Sequence, residues 1–163
     1  MNTQLLKDVR WGLAMSLLCL LIGVGLGVSF GLYEDSYQNY ISAGIAAHPE
    51  LHDAISQNSI WRWVLRAHFH AAGIGAFLTG LVVVVALSDM GAMRKQATAI
   101  CMGLGGLYPM AWFSMFLLAP ALGRKAAKHH WLVELLTYVS IGGFLLGMLS
   151  LLVGLFLGRQ RKN

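Results

Sequence analysis

Charged residues are scarce in this 163-residue chain, where Asp, Glu, Lys and Arg together make up 12%, about half of the share in a soluble domain. Two widely separated cysteines, Cys19 and Cys101, are too few for a disulfide framework. The length is too short for a two-domain enzyme. Because 57% of the residues are hydrophobic, the chain is also too apolar for a disordered or nucleic-acid-binding tail. One compact integral membrane domain remains.

Four apolar runs are long enough to cross a bilayer, which takes about 20 residues in a helix. Backbone polar groups in lipid must be satisfied within the segment, so each run is predicted to be helical. The predicted fold is all-α, an integral membrane four-helix bundle in a single transmembrane domain over residues 1–163. The predicted helices cover residues 11–33, 62–87, 97–119 and 129–158, with an outer loop over 34–60.

Two local features modify this plan. Within the outer loop, Ser42 to Ile60 carries Ala, Leu and Ile at partly helical spacing, which predicts a short amphipathic helix on the surface. In the third run, Tyr108-Pro109 predicts a kink.

The distribution of basic residues predicts the orientation. One side of the predicted bundle carries seven Lys and Arg against two acids, and the other carries five of each, so the formal net charge of +5 lies on one side. Cytoplasmic loops are enriched in Lys and Arg, so both termini are expected on the cytoplasmic side. The expected localisation is the bacterial inner (cytoplasmic) membrane, as a multi-pass protein. The basic residues therefore indicate contact with the lipid bilayer rather than nucleic acid.

Glycines at four-residue spacing allow helices to approach closely. The first run contains Gly23, Gly27 and Gly31, and the fourth contains Gly143 and Gly147. Packing within the bundle is the favoured interpretation, and a homo-oligomer interface is the alternative. In the second run, His68 shares a face with Ala72 and Gly75, against which a flat ligand could lie.

All six histidines fall on the outer side of the predicted bundle or in its outer half. They are His48, His52, His68, His70, His129 and His130. Histidine inside a membrane span is costly and is by default a hypothesis of function. The competing interpretation is that these rings make only satisfied polar contacts inside the bundle.

His68 and His70 are two residues apart, which turns a helix by about 200°, so one centre cannot easily use both. We expect His68 to be one metal ligand because it lies on the small-residue face. His130 is expected as the second metal ligand, because it shares a face with Glu134 and a carboxylate is unlikely to face lipid. His70 and His129 are the alternatives for cofactor binding.

Haem between the second and fourth helices fits this pattern best, with two axial imidazoles and with aromatic walls from Phe69, Tyr108, Trp112 or Phe113. Arg66, one turn before His70, could pair with a haem propionate, or it could simply reach the membrane interface. Zinc held by His48 and His52 is a weaker interpretation, because no cysteine or carboxylate pattern completes such a site.

The stretch Arg66 to Gly73, RAHFHAAG, resembles the second membrane helix of haem-copper oxidase subunit I, where a histidine ligates the low-spin haem. It is also similar to the bacterial styrene oxide isomerase family, four-helix membrane proteins of similar length that bind haem b through the histidine of an RAH motif and assemble as trimers. The resemblance implies haem b at His68. It does not carry the isomerase chemistry over, because Ile74 stands where that family has an asparagine.

Three functions follow as hypotheses. The first is a membrane b-type haem protein for electron transfer or redox sensing, working alone, as a homo-oligomer or in a larger redox complex. The second is a haem-dependent epoxide isomerase in which ferric iron acts as a Lewis acid. The third is a non-haem accessory subunit or metal-handling membrane protein.

Overall fold

The computed structural model describes residues 6–156, and every regular element in this range is a helix. This confirms the all-α prediction. The elements in chain order are α1 (Arg10–Ala47), a 3-10 turn (Pro49–Leu51), α2 (Ser56–Leu87), α3 (Ala92–Gly103), a second 3-10 turn (Leu104–Leu107), α4 (Tyr108–Lys128) and α5 (Trp131–Phe156).

Four helical segments within the described residues are long and apolar enough to cross a membrane. They are α1, α2, the combined stretch Ala92–Lys128 that contains α3 and α4, and α5. We call that combined stretch the third span. The four predicted runs therefore correspond to four helical segments, although their boundaries differ.

Residues 34–60, predicted as an outer loop that contains one short helix, are helical over most of their length. α1 is 38 residues long in total and ends at Ala47, with one non-helical residue at Tyr33. α2 begins at Ser56 rather than at residue 62. No proline interrupts the chain until Pro49, and Tyr37, Ile41 and Ile45 repeat every four residues and pack into the core. At 1.5 Å per residue α1 is about 57 Å long, well beyond the ~30 Å of a hydrocarbon layer.

The third span is longer and less regular than the predicted 97–119. The 3-10 turn before Tyr108 interrupts it near the predicted kink. The helix then continues through Pro120 to Lys128, although Gly123 adopts φ 76° and ψ 157°. A positive φ of this size favours glycine, because a residue with a Cβ adopts it only with steric strain. Of the predicted fourth helix, residues 157 and 158 lie outside the described part.

α1, α2 and the third span pack against one another, whereas α5 packs mainly on the third span. Two groups of buried residues stabilise this arrangement. One group lies near the turn over residues 48–55 and includes Ile41, Ile60 and Phe116. The other lies near the α2–α3 connection and includes Val82 and Met102. We call these two ends of the bundle the turn end and the hairpin end.

Glycine sets the distance between α1 and α2. A Cβ on Gly23 would collide with the backbone of Ala72, and one on Gly75 would lie 2.5 Å from the backbone nitrogen of Leu20. A Cβ on Gly31 would have no neighbouring atom within 4 Å. For Gly23 the structure therefore supports packing within the chain, the favoured interpretation of the sequence.

Candidate functional site on the second span

His68 is directed at α1. Its Nδ1 lies 2.8 Å from the carbonyl oxygen of Gly23. A Cβ on Gly27 would lie 2.7 Å from the Cε1 of the imidazole, so this glycine makes room for the ring. Phe30 of α1 meets the ring edge-on, with 5.7 Å between the ring centres. The imidazole of His68 therefore connects the two helices.

The small-residue face below His68 is covered by α1 as well. The backbone of α1 contacts Ala72 and Gly75, as described above, and one turn further Thr79 donates a hydrogen bond of 3.2 Å to Ser16. This face was expected to receive a flat ligand. The close approach of α1 leaves no room there for a porphyrin plane.

His70 lies on the opposite side of α2, in a stack of planar groups. Its ring is stacked on Trp112 of α4 at 5.8 Å between centres and lies 5.3 Å from the ring of Tyr108. The guanidinium of Arg66 covers Trp112 at 4.9 Å. We call these four residues, Arg66, His70, Tyr108 and Trp112, the aromatic stack.

Both imidazoles have the same tautomer. The Nδ1 of His70 lies 2.8 Å from the carbonyl oxygen of Arg66. A carbonyl oxygen can only accept, so Nδ1 carries the hydrogen in both rings, and in the neutral form of each ring Nε2 has the lone pair. Within residues 6–156, no side chain or backbone group hydrogen-bonds either Nε2. Each ring is therefore prepared in the form that metal-ligating histidines adopt.

A cleft of about 270 Å³ lies between α2 and α5, beside the aromatic stack. Tyr108 lines it, and Gly105 of the 3-10 turn contributes to it. The other walls are apolar apart from Ser140 and are formed by Ile74, Phe77, Leu78, Ile141, Phe144 and Leu145. Ile74 and Phe77 follow His70 by four and seven residues, so the cleft continues along the His70 face of α2.

His130 and His68 make their contacts on different helices. His130 precedes α5, where its Nδ1 accepts a hydrogen bond of 3.3 Å from the backbone N–H of Leu132 and so caps the helix. His68 is directed at α1, and α5 packs mainly on the third span. The structure therefore gives no contact that would join these two rings at one centre.

The acid four residues after His130 contacts the neighbouring histidine. Glu134 approaches His129 instead, with 3.3 Å between Oε1 and Nδ1. The capping bond turns the His130 ring back onto its own helix start, which leaves the carboxylate to the preceding residue. The His129 side chain is 71% exposed, so this pair lies at the surface of the turn end.

The two remaining histidines lie at the turn end, where each contacts a different group. His52 Nε2 donates a hydrogen bond of 3.0 Å to the carbonyl of Pro120, and His48 lies 3.9 Å from Glu50. Residues 6–156 contain no group of three or more His, Cys, Asp and Glu side chains that could hold a metal ion.

Sequence reasoning named Tyr108 and Trp112 as possible haem walls but did not place them against His70. The signal was present, because Tyr108 and Trp112 are four residues apart and therefore lie on one face of a helix. Trp112 also carries a buried indole Nε1 without a hydrogen-bond partner among the described residues, an uncommon state for a tryptophan.

Comparison with known proteins found no matching family model, no matching curated protein and no matching solved structure.

Proposed function

We propose that this chain is a multi-pass protein of the bacterial inner membrane, with both termini in the cytoplasm and the turn end on the other side. The four apolar helical segments support insertion. The excess of Lys and Arg near the termini and the hairpin end supports the orientation, because positively charged segments stay in the cytoplasm.

We further propose that it binds haem b on α2 through His70, rather than through His68 and His130. The observation that carries this proposal is the combination of a free Nε2 with a neighbouring apolar cleft. The Nδ1–H of His70 is held by a backbone carbonyl, the partner that fixes the orientation of many metal-ligating imidazoles. His68 has the same tautomer, but α1 occupies the face of α2 on which its cofactor would lie.

The other members of the aromatic stack suit a haem as well. Arg66 lies one turn before His70, toward the turn end, and its guanidinium could bind a propionate in the forked geometry that suits carboxylates. Tyr108 and Trp112 offer flat aromatic surfaces beside the imidazole.

The size of the cleft supports an oligomer. At about 270 Å³ it falls below the roughly 300–1,000 Å³ of pockets that enclose a drug-sized ligand. We therefore propose that it takes only part of the macrocycle and that lipid or a second copy of the chain covers the rest. A homo-oligomer, a trimer by the resemblance above, would supply that cover.

His70 would hold the haem, and the haem would supply a redox-active iron that could also bind a small ligand. Redox or ligand sensing is therefore the function we favour. The chain's own residues contribute the imidazole, the apolar surroundings that limit water, and the Tyr108 ring at the wall of the cleft.

A haem-dependent isomerase is the second candidate. The observation that favours it is the apolar cleft beside Tyr108, which could take a small epoxide-like substrate from the bilayer. A non-haem accessory role remains the alternative if purified protein contains no porphyrin.

Absorption spectroscopy of the purified protein tests the proposal. We expect a Soret band and a b-type pyridine haemochrome in the wild type, with loss of the band in His70→Ala. His68→Ala and His130→Ala are the matched controls and should keep it, as judged in samples that elute at the wild-type size. Absence of a Soret band in the wild type after haem addition contradicts haem binding. Loss of the band in His68→Ala alone contradicts the choice of His70.

A further inference from the structure

A second pocket, of about 450 Å³, lies at the turn end against the last part of α4. Its walls include the cations Arg124 and Lys125 and the imidazole of His129, together with the apolar side chains of Leu51 and Leu122. We call it the α4-end pocket. It is lined by none of the residues of the aromatic stack or of the cleft beside it.

The break at Gly123 and the turn over residues 48–55 build this pocket. At φ 76° Gly123 interrupts the regular course of α4, and a Cβ there would lie 3.2 Å from the carbonyl oxygen of Leu51. His52 fixes the turn on α4 through its hydrogen bond to Pro120. The turn over residues 48–55 and the end of α4 are distant in sequence. They are held together beside the pocket by the close approach of Gly123 to the Leu51 carbonyl and by the hydrogen bond of His52.

Two acids at the rim already have partners. Asp53 accepts a hydrogen bond of 2.6 Å from Arg124, and Glu134 approaches His129 at 3.3 Å. Lys125 forms no ion pair with any acid in residues 6–156. Among the cations that line the pocket, Lys125 is therefore the one that has no acidic partner in the described residues.

Arg124 keeps donors available despite its ion pair. One terminal nitrogen donates to Asp53 and the other donates to Ser59 at 3.2 Å, whereas a guanidinium has five N–H donors. The remaining donors and the Lys125 ammonium can bind the oxygens of an anion. Arg and Lys are the usual partners of phosphate oxygens in proteins.

Exposed apolar side chains at the rim indicate an amphiphilic ligand. Leu51 is 45% exposed and Leu122 is 40% exposed. A free inorganic anion gains nothing from such neighbours, whereas an acyl chain is stabilised by apolar surface. Cations next to apolar side chains are also the combination that holds lipid head groups at an interface.

We infer that the α4-end pocket binds the phosphate of an anionic phospholipid, with Lys125 and Arg124 as donors and with the acyl chains lying against Leu51 and Leu122. The inference does not depend on haem binding. It assigns a lipid-specific site to the side of the protein opposite to the one that carries the excess of basic residues.

Lipid retention by wild-type and variant protein tests this inference. The full chain is placed in nanodiscs of phosphatidylcholine, with or without phosphatidylglycerol, and bound lipid is counted by native mass spectrometry together with the melting temperature. We expect phosphatidylglycerol to be retained and to raise the melting temperature. Lys125→Ala should weaken retention about tenfold, because a charge-assisted hydrogen bond is lost.

Lys128→Ala is the matched control, since it removes the same charge from a residue that does not line the pocket. It should leave retention within about twofold of the wild type, as expected for a distant surface charge. Equal losses in the two variants, or no preference for phosphatidylglycerol in the wild type, overturn the inference. A similar rise in melting temperature on adding inorganic phosphate to phosphatidylcholine discs overturns the lipid assignment.

Discussion

The two faces of α2 differ although the same residue type stands on each. On one face, α1 approaches so closely that glycine is required at position 23, and His68 is used to join the helices. On the other face, α5 lies further away, a cleft remains, and His70 stands beside it within the aromatic stack. The comparison teaches that an imidazole in a membrane span is a ligand candidate only where the neighbouring helix leaves space.

The largest expected effect is a loss of stability when the close contact between α1 and α2 is disrupted. Gly23→Val should lower the stability by about 3 kcal/mol or more, because the added side chain collides with the backbone of Ala72 and α1 must move away. Thermal unfolding of the purified protein by circular dichroism measures the loss. Gly25→Val is the control, since no atom lies within 4 Å of a Cβ there. Equal melting temperatures for both variants contradict the described packing.

Removal of the two imidazoles sharpens the comparison. His68→Ala should cost about 1–2 kcal/mol, because the hydrogen bond to the carbonyl of Gly23 and the ring contact with Phe30 are lost. His70→Ala should cost less in haem-free protein, since its hydrogen bond lies within its own helix. Chemical unfolding of both variants without cofactor measures the difference. A larger loss in His70→Ala is the unexpected outcome.

Narrowing the cleft beside the aromatic stack should weaken haem binding and leave the fold intact. Leu145→Trp adds bulk at the wall of the cleft and should reduce occupancy roughly tenfold, the equivalent of about 1.4 kcal/mol. Leu146→Trp is the control, since its side chain is 63% exposed and does not line the cleft. Titration with haem, followed by absorption, measures occupancy. Identical curves for the two variants exclude the cleft as part of the site.

The smallest effect concerns the turn end at acid pH. A hydrogen bond from Ser56 and the neighbouring Arg124 hold the pKa of Asp53 below its usual value. Its contribution to stability is therefore present above the unfolded-state pKa, about 3.9, and is lost as the pH falls through the lower folded-state pKa. Asp53→Asn should flatten the decline in melting temperature below about pH 4. Parallel declines in both proteins count against a role for this carboxylate.

Hydropathy predicted the number of spans well and their ends poorly. Hydropathy identifies segments that are stable in lipid, and Glu34 and Asp35 end the first apolar run at Tyr33. A helix does not need lipid to continue, and Ile41 is fully buried against the turn end of the bundle. The helix-forming spacing in this segment was visible, but composition alone does not show that the bundle projects so far.

The candidate site was predicted in part. Helical geometry indicated that His68 and His70 point in opposite directions, and their partners on α1 and α4 confirm this. The preference for His68 rested on its small neighbours, which serve the approach of α1. Small residues permit both a flat ligand and a close helix, so the sequence could not distinguish the two.

The sequence by itself determined four apolar helical segments, a one-sided charge distribution and the opposite directions of the two imidazoles, because these depend on local periodicity and composition. Only the tertiary structure decided which helix lies against each face of α2. The four segments are all apolar and all carry small residues, so their sequences are compatible with several neighbours. Contacts between residues far apart in the chain select one arrangement, with α1 against His68 and the cleft beside His70.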